Sequence, residues 1–302
     1  MTNLTASPIP KPARPLAGVR ILSLALNLPG PAALMRCRTM GATCVKLEPP
    51  GPDGGPGDPM ATYAPGAYAT LHEGVRVLQA NLKTEPGQKA LHRELARTDV
   101  LLTSFRPSAL AKLDLGWRKL HKLYPQLSQV AIVGATGARA EEPGHDLTYV
   151  AEHGLVNGLE LPPTLYADMG GSLAASEAVL QAQLLRAAKG SGVFLEVALA
   201  DAAAYLALPR AWGLTTPQGS VGGAHAGYRV YPCKDGRVAV AALEPHFAKA
   251  LCTAAGVADA SRKGMLSAST HAAVAAFFAT RTRKQLEKLG HEQDIPLHGL
   301  PR

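Results

Sequence analysis

Three stretches of the chain place an ionisable side chain beside glycine or proline, where backbone and ligand can approach closely. In YADMGGS (166–172) Asp168 precedes two glycines and the body of a helix; in PGHD (143–146) His145 follows a loop where a helix starts. In ALEPHF (242–247) Glu244 stands after an apolar run and before a proline. Carboxylates and imidazole exchange protons near neutral pH and are the usual side chains of acid–base catalysis. Each position also has a plainer reading. Asp168, His145 or Asp146 would serve as a helix cap, and Glu244-Pro245 is an ordinary helix start. Other chemistries are disfavoured. No GxGxxG follows the first strand and there is no Walker A lysine, so the dinucleotide and nucleoside-triphosphate fingerprints are missing. Ser172 lacks the GxSxG elbow of the serine hydrolases. Cys37, Cys44, Cys233 and Cys252 have neither CxxC nor metal-ligand spacing and read as reduced thiols, with no metal site.

The elements that must hold these residues alternate. Apolar runs at 20–25, 44–48, 75–82, 99–103, 127–133 and 193–198 have the length of buried strands, and helical segments separate them. That order is the mark of a doubly wound parallel α/β sheet, with ligands at the carboxyl ends of the strands. The Pro- and Gly-rich stretch 50–66 reads as loop, and a helix is expected over 172–188, stopped by Gly190. Beyond residue 219 the character changes to a β-hairpin about the turn 232–236, with helices at 245–255 and 271–289. The expected organisation is a large domain over 1–200, a linker over 201–225 and a small α+β domain over 226–302. At 302 residues, two domains are the better prior.

Lys and Arg total 31 against 23 Asp and Glu, a net charge of +8. The cations are dispersed rather than interleaved with aromatics, so a polyphosphorylated small molecule explains the charge at least as well as nucleic acid, and charge alone does not decide between them. No apolar run reaches the roughly 20 residues that cross a bilayer, and the Pro-rich arm 1–15 is no signal peptide. A cytoplasmic protein without membrane or nucleic-acid partners is expected.

Taken in order, PLAGVRIL, NLPGPAA, MGATCVKLEPPG, DVLLTSFRPSAL, LDLG, PGHDLTY, YADMGG, YRVYPCKDG and ALEPHF resemble the family III CoA-transferases, nearest to their α-methylacyl-CoA racemase branch. The resemblance runs from about residue 15 to 294. It implies a Rossmann-like large domain, a smaller α+β domain and an interlocked homodimer. It also implies an acyl-CoA substrate, with coenzyme A as part of that substrate and no prosthetic group.

By the same resemblance Asp168 is the essential aspartate: a nucleophile forming an acyl anhydride in the transferases, an acid/base in the racemases. His145 matches the racemase histidine and Glu244 the racemase glutamate that tunes it. Together they imply inversion of the α-carbon of a 2-methylacyl-CoA by a base on each face, with N–H groups near Gly170 and Gly171 facing the enolate oxygen. The alternatives are CoA transfer between carboxylic acids through Asp168, or a CoA-binding paralogue without turnover. For CoA itself the resemblance points to Leu28 and Pro29, Arg76, Ser104-Phe105-Arg106, Lys112, and the loop from Gly134 to Gly137. Pro49, Glu73 and Val75 stand where members carry other, mainly basic, residues. Members also continue past the small domain, whereas this sequence stops at Arg302.

Overall fold

The computed structural model describes residues 13–302; of the arm expected over 1–15, all but the last three residues lie outside them. In chain order the first half runs β1 (Arg20–Ser23), α1 (Pro29–Thr39), β2 (Thr43–Glu48), α2 (Pro59–Tyr63), α3 (Pro65–Leu71), β3 (Arg76–Gln79) and α4 (Glu85–Leu95). It continues with β4 (Val100–Thr103), α5 (Pro107–Lys112), α6 (Trp117–Leu123), β5 (Ser128–Val133), a 3-10 turn at Gly137–Glu141 and α7 (Asp146–Glu152). Then come α8 (Tyr166–Lys189), β6 (Phe194–Ala198) and α9 (Leu199–Leu206). All six strands are parallel, in the order β3-β2-β1-β4-β5-β6. This is the doubly wound arrangement, and its order reverses between β1 and β4.

Side chains alternate across the sheet, because successive strand residues point to opposite faces. Ile21, Val100, Leu102, Val130 and Ile132 join Leu34 and Cys37 of α1 and Ala175, Ala178 and Val179 of α8 in one core. Their neighbours Leu22, Val45, Leu47 and Leu101 pack instead with Leu91 and Leu95 of α4, Leu110 of α5 and Leu120 of α6. Both faces are therefore covered, which is why these strands read as continuous apolar runs rather than as alternating ones.

The contacts divide the chain after Leu206, giving a second unit over 207–302. Here the elements are α10 (Leu208–Ala211), a 3-10 turn at Ser220–Gly222, β7 (Tyr228–Cys233), β8 (Gly236–Ala241), α11 (Pro245–Ala255), α12 (Arg262–Met265), α13 (Ala268–Ala279), α14 (Arg283–Gln293) and β9 (Leu297–Leu300). The three strands form an antiparallel sheet, β7-β8-β9. Tyr231, Val238 and Val240 pack from one face onto Leu251, Val274, Phe278 and Leu286.

Five local readings are corrected. The stretch 50–66 is not all loop: α2 starts within it, where Asp58 accepts the Met60 N–H at 2.9 Å and Pro59 occupies the first turn. This is an N-cap signal hidden in a glycine-rich context. The helix expected from 172 begins six residues earlier, at Tyr166. The helix expected over 271–289 is two, because Thr282 caps α14 by accepting the Gln285 N–H while the Gln285 side chain accepts the Thr282 N–H. The last strand, β9, was not foreseen: Leu297–Leu300 is short and lies between two prolines, and pairing with β8 defines it. The segment 201–206, expected to open a linker, is the greater part of α9.

Candidate active site

A cleft of about 710 Å³ opens beyond the carboxyl ends of β1, β4 and β5, at the point where the strand order reverses. Its lining includes Asn27, Leu28 and Pro29 after β1, Ser104, Phe105 and Arg106 after β4, and Val133 and Gly134 at the end of β5. His145, Asp146 and Tyr149 of the α7 region and Asp168 of α8 complete the wall, all within the first unit. Among the sequence-derived candidates, Leu28, Pro29, Ser104, Phe105, Arg106, Gly134, His145 and Asp168 are thus brought to one cavity.

Arg76, Lys112 and Gly137 are not in its lining. The Arg76 guanidinium lies 2.8 Å from the Glu94 carboxylate, which Arg97 also engages. Lys112 ends α5, and Gly137, in a left-handed conformation with φ of 63°, opens the 3-10 turn. Glu244 belongs to the second unit, where it is exposed and precedes α11 as its N-cap residue without a side-chain capping bond.

Asp168 is not a helix cap. It sits in the first turn of α8, half-buried, and its own N–H donates to Asp146 Oδ1 at 3.0 Å. Withdrawal from water pushes its carboxyl up to about 6; the nearby Asp146 carboxylate adds to the rise and His145 opposes it. A carboxyl in that range exists in both protonation states near neutral pH, as a proton-transfer group requires. Asp146, buried beside it, was named in sequence only as a possible cap.

His145 precedes α7 in extended conformation and is exposed to the cleft. Its backbone N–H donates to Thr148 Oγ1 at 3.1 Å, and its carbonyl accepts from the Thr148 hydroxyl at 2.7 Å. These bonds hold the loop-to-helix turn and leave the imidazole at the cavity wall.

The glycines after Asp168 do something other than expected. Gly170 and Gly171 lie inside α8, where backbone N–H groups are spent on the preceding turn; those outside the helical ladder are at 165–168. A Cβ on Gly171 would meet Leu199 Cδ2 at 2.3 Å, so this glycine lets α9 pack against α8. The enolate-facing N–H groups expected at 170 and 171 are therefore corrected.

The loop after β1 is held from behind by a buried polar network. Lys46 and Glu48 of β2, with Asp58, His72 and Tyr68, are all but closed to solvent except Tyr68, which is part-buried. Lys46 Nζ pairs with Asp58, lies 3.1 Å from Glu48 and lies 3.0 Å from His72 Nε2. Three acceptors are what an ammonium can satisfy. His72 Nδ1 is 2.7 Å from the Tyr68 carbonyl, so Nδ1 carries the hydrogen and Nε2 accepts from Lys46. Burial, and then the Lys46 charge, lower the His72 pKa and keep that ring neutral. Asp58 in turn accepts the Asn27 N–H at 3.0 Å, and Asn27 has φ of 62°. This left-handed residue, which asparagine tolerates better than most, turns the chain into the cleft wall.

Comparison with known proteins agrees with this architecture. A probable fatty acyl-CoA transferase of Mycobacterium tuberculosis is 31% identical over 65% of this chain and 53% of its own length. The human α-methylacyl-CoA racemase is 28% identical over 80% of this chain and 65% of its own length. A succinyl-CoA–D-citramalate CoA-transferase of Chloroflexus aurantiacus is 31% identical over 63% of this chain and 50% of its own. The chain thus spans about half to two thirds of the length of these relatives. In fold it is similar to the crystal structure of a hypothetical protein from Mycobacterium tuberculosis, with a TM-score of 0.80 at 24% identity over 97% of this chain and 85% of that one. A CAIB/BAIF family protein from Brucella suis gives 0.79 at 23% identity over 96% and 85%. Residues 16–300 match the sequence model of CoA-transferase family III, and the chain belongs to that family.

Proposed function

We infer that the chain acts on acyl-CoA thioesters, inverting the α-carbon of a 2-methylacyl-CoA with Asp168 and His145 as the two bases. The observation that carries this reading is that both side chains line one cleft, with the Asp168 carboxyl raised to about 6. A proton beside a thioester carbonyl is weakly acidic, so its removal needs a base at the carbon and stabilisation of the enolate oxygen. One base takes the proton from one face, the C–H electron pair moves into the enolate, and the other base returns a proton to the opposite face. Arg106, Ser104 and Phe105, with Leu28 and Pro29 in the same lining, are the residues this reading assigns to the CoA portion.

The measurement is exchange of the α-proton with deuterated water. Asp168→Ala is expected to abolish it and His145→Ala to reduce it by about a hundredfold or more, on the scale of a lost acid–base group. No exchange on any 2-methylacyl-CoA ends the reading.

Relatives of both kinds match this chain, transferases at 27–32% identity and racemases at 28–29%, so CoA transfer is a second reading. In it the Asp168 carboxylate attacks the thioester carbonyl, the C–S bond breaks with CoA thiolate leaving, and a mixed anhydride forms on Asp168. Hydroxylamine trapping of that anhydride, together with indifference to His145→Ala, would replace the first reading by this one.

A further inference from the structure

Tyr149 is a buried aromatic residue whose hydroxyl has no assigned task. It lies four residues after His145, one turn along α7, and its N–H donates back to the His145 carbonyl at 3.3 Å. The ring is held in a small core with Ala135, Val150, Ala167, Ala200 and Ala203. The hydroxyl end stands where two glycines leave room: a Cβ on Gly134 would fall 2.2 Å from Tyr149 Oη, and one on Gly144 2.4 Å from it. Both glycines line the cleft, as does Tyr149 itself. Among the described residues the hydroxyl forms no hydrogen bond, and its oxygen is not among the side-chain atoms sealed from solvent without a partner. The other tyrosine in the lining, Tyr63, already donates to Asn27 Oδ1 at 3.3 Å.

A donor held by its ring, unpaired at the cleft wall, is suited to an oxygen brought by a ligand. Burial, and then the negative charge of Asp168, raise the Tyr149 pKa, so the phenol keeps its proton and acts as donor. The hydrogen bond that joins Asp168 to Asp146 is made by the Asp168 backbone N–H and does not occupy its carboxylate.

We propose that Tyr149 is a further catalytic residue, its hydroxyl donating a hydrogen bond to the thioester carbonyl oxygen as negative charge develops there. The role rests on the acyl-CoA reading above. In the step, the α-proton passes to Asp168 or His145 and the C–H pair becomes the enolate double bond. Charge moves to the oxygen, and the phenol proton stays on Tyr149. Donors of this kind act by being aimed beforehand at the place where charge appears.

The test is Tyr149→Phe in the full chain, which keeps the packed ring and removes one oxygen. Two quantities are measured: α-proton exchange, and the ultraviolet band of the enolate of bound acetoacetyl-CoA. The expected result is a kcat for exchange lower by about a hundredfold with KM within about threefold, the size of a lost oxyanion donor. The variant should still bind acetoacetyl-CoA while losing its enolate band. A band undiminished in the variant overturns the role of Tyr149 and leaves the acyl-CoA reading standing. Binding by the parent chain without any band overturns the role in the same way. Failure of the parent chain to bind acetoacetyl-CoA removes the acyl-CoA reading, and the role of Tyr149 with it.

Discussion

At the scale of single residues, Asp168 shows how company changes a carboxylate. Alone it has the composition of a helix cap, yet the cap position is Leu165, and Asp168 is inside the first turn with Asp146 against its N–H. The unfolded chain gives up that proton near pH 3.8, and the folded chain holds it until about 6. Between those values the folded state binds more proton than the unfolded one, so stability falls as pH rises and the cost is complete above 6. The displacement corresponds to at most about 3 kcal/mol. Asp168→Asn, which cannot ionise, is therefore expected to raise the melting temperature at pH 7.5 and to leave it nearly unchanged at pH 3. Equal shifts at both pH values would show that the ionised carboxylate carries no such penalty. Asp168 was legible in the sequence because glycine spacing and family resemblance both mark it. Tyr149 and Asp58 were not, since a tyrosine in an amphipathic helix and an aspartate in a glycine-rich loop have unremarkable local contexts.

At the scale of elements, the cleft wall depends on how β2 and the start of α2 grip the loop after β1. Lys46 and Glu48 come from β2, Asp58 caps α2, and the Asn27 N–H is the loop's attachment. Removing the cation leaves two carboxylates buried without their partner, a change that typically costs about 3–5 kcal/mol. Lys46→Ala is expected to lower stability by about that amount in urea unfolding. A loss below about 1 kcal/mol, the scale of an exposed pair, would show that the network does not hold the loop. Strand positions were readable because strands covered on both faces are continuously apolar. The early start of α8, the division of α13 from α14 and the pairing of β9 were not. Caps and strand pairing depend on partners several or many residues away.

At the scale of the whole molecule, the chain carries +8 and divides into two units, each with a core of its own. A positive surface draws a polyanion such as a CoA ester, and salt screens that attraction within about 10 Å at 0.1 M. The apparent affinity for acetoacetyl-CoA is expected to fall steadily as sodium chloride is raised, and to fall less for the CoA-free acid. Salt-independent binding would mean that apolar contacts alone hold the ligand.

The six parallel strands of the first unit, the doubly wound class and the choice of Asp168 and His145 as candidates came from sequence, because periodicity, glycine spacing and motif order are properties of neighbours along the chain. What the tertiary structure decided is which residues meet. Asp146 lies against Asp168, Tyr149 fills the space left by Gly134 and Gly144, and Lys46 meets Asp58 behind Asn27. It also gave Gly171 a packing role with Leu199 in place of an anion-binding one. The physical reason is that burial and close approach set the pKa of Asp168, the freedom of the Tyr149 hydroxyl and the turn at Asn27. Burial and approach exist only once separate segments have packed together.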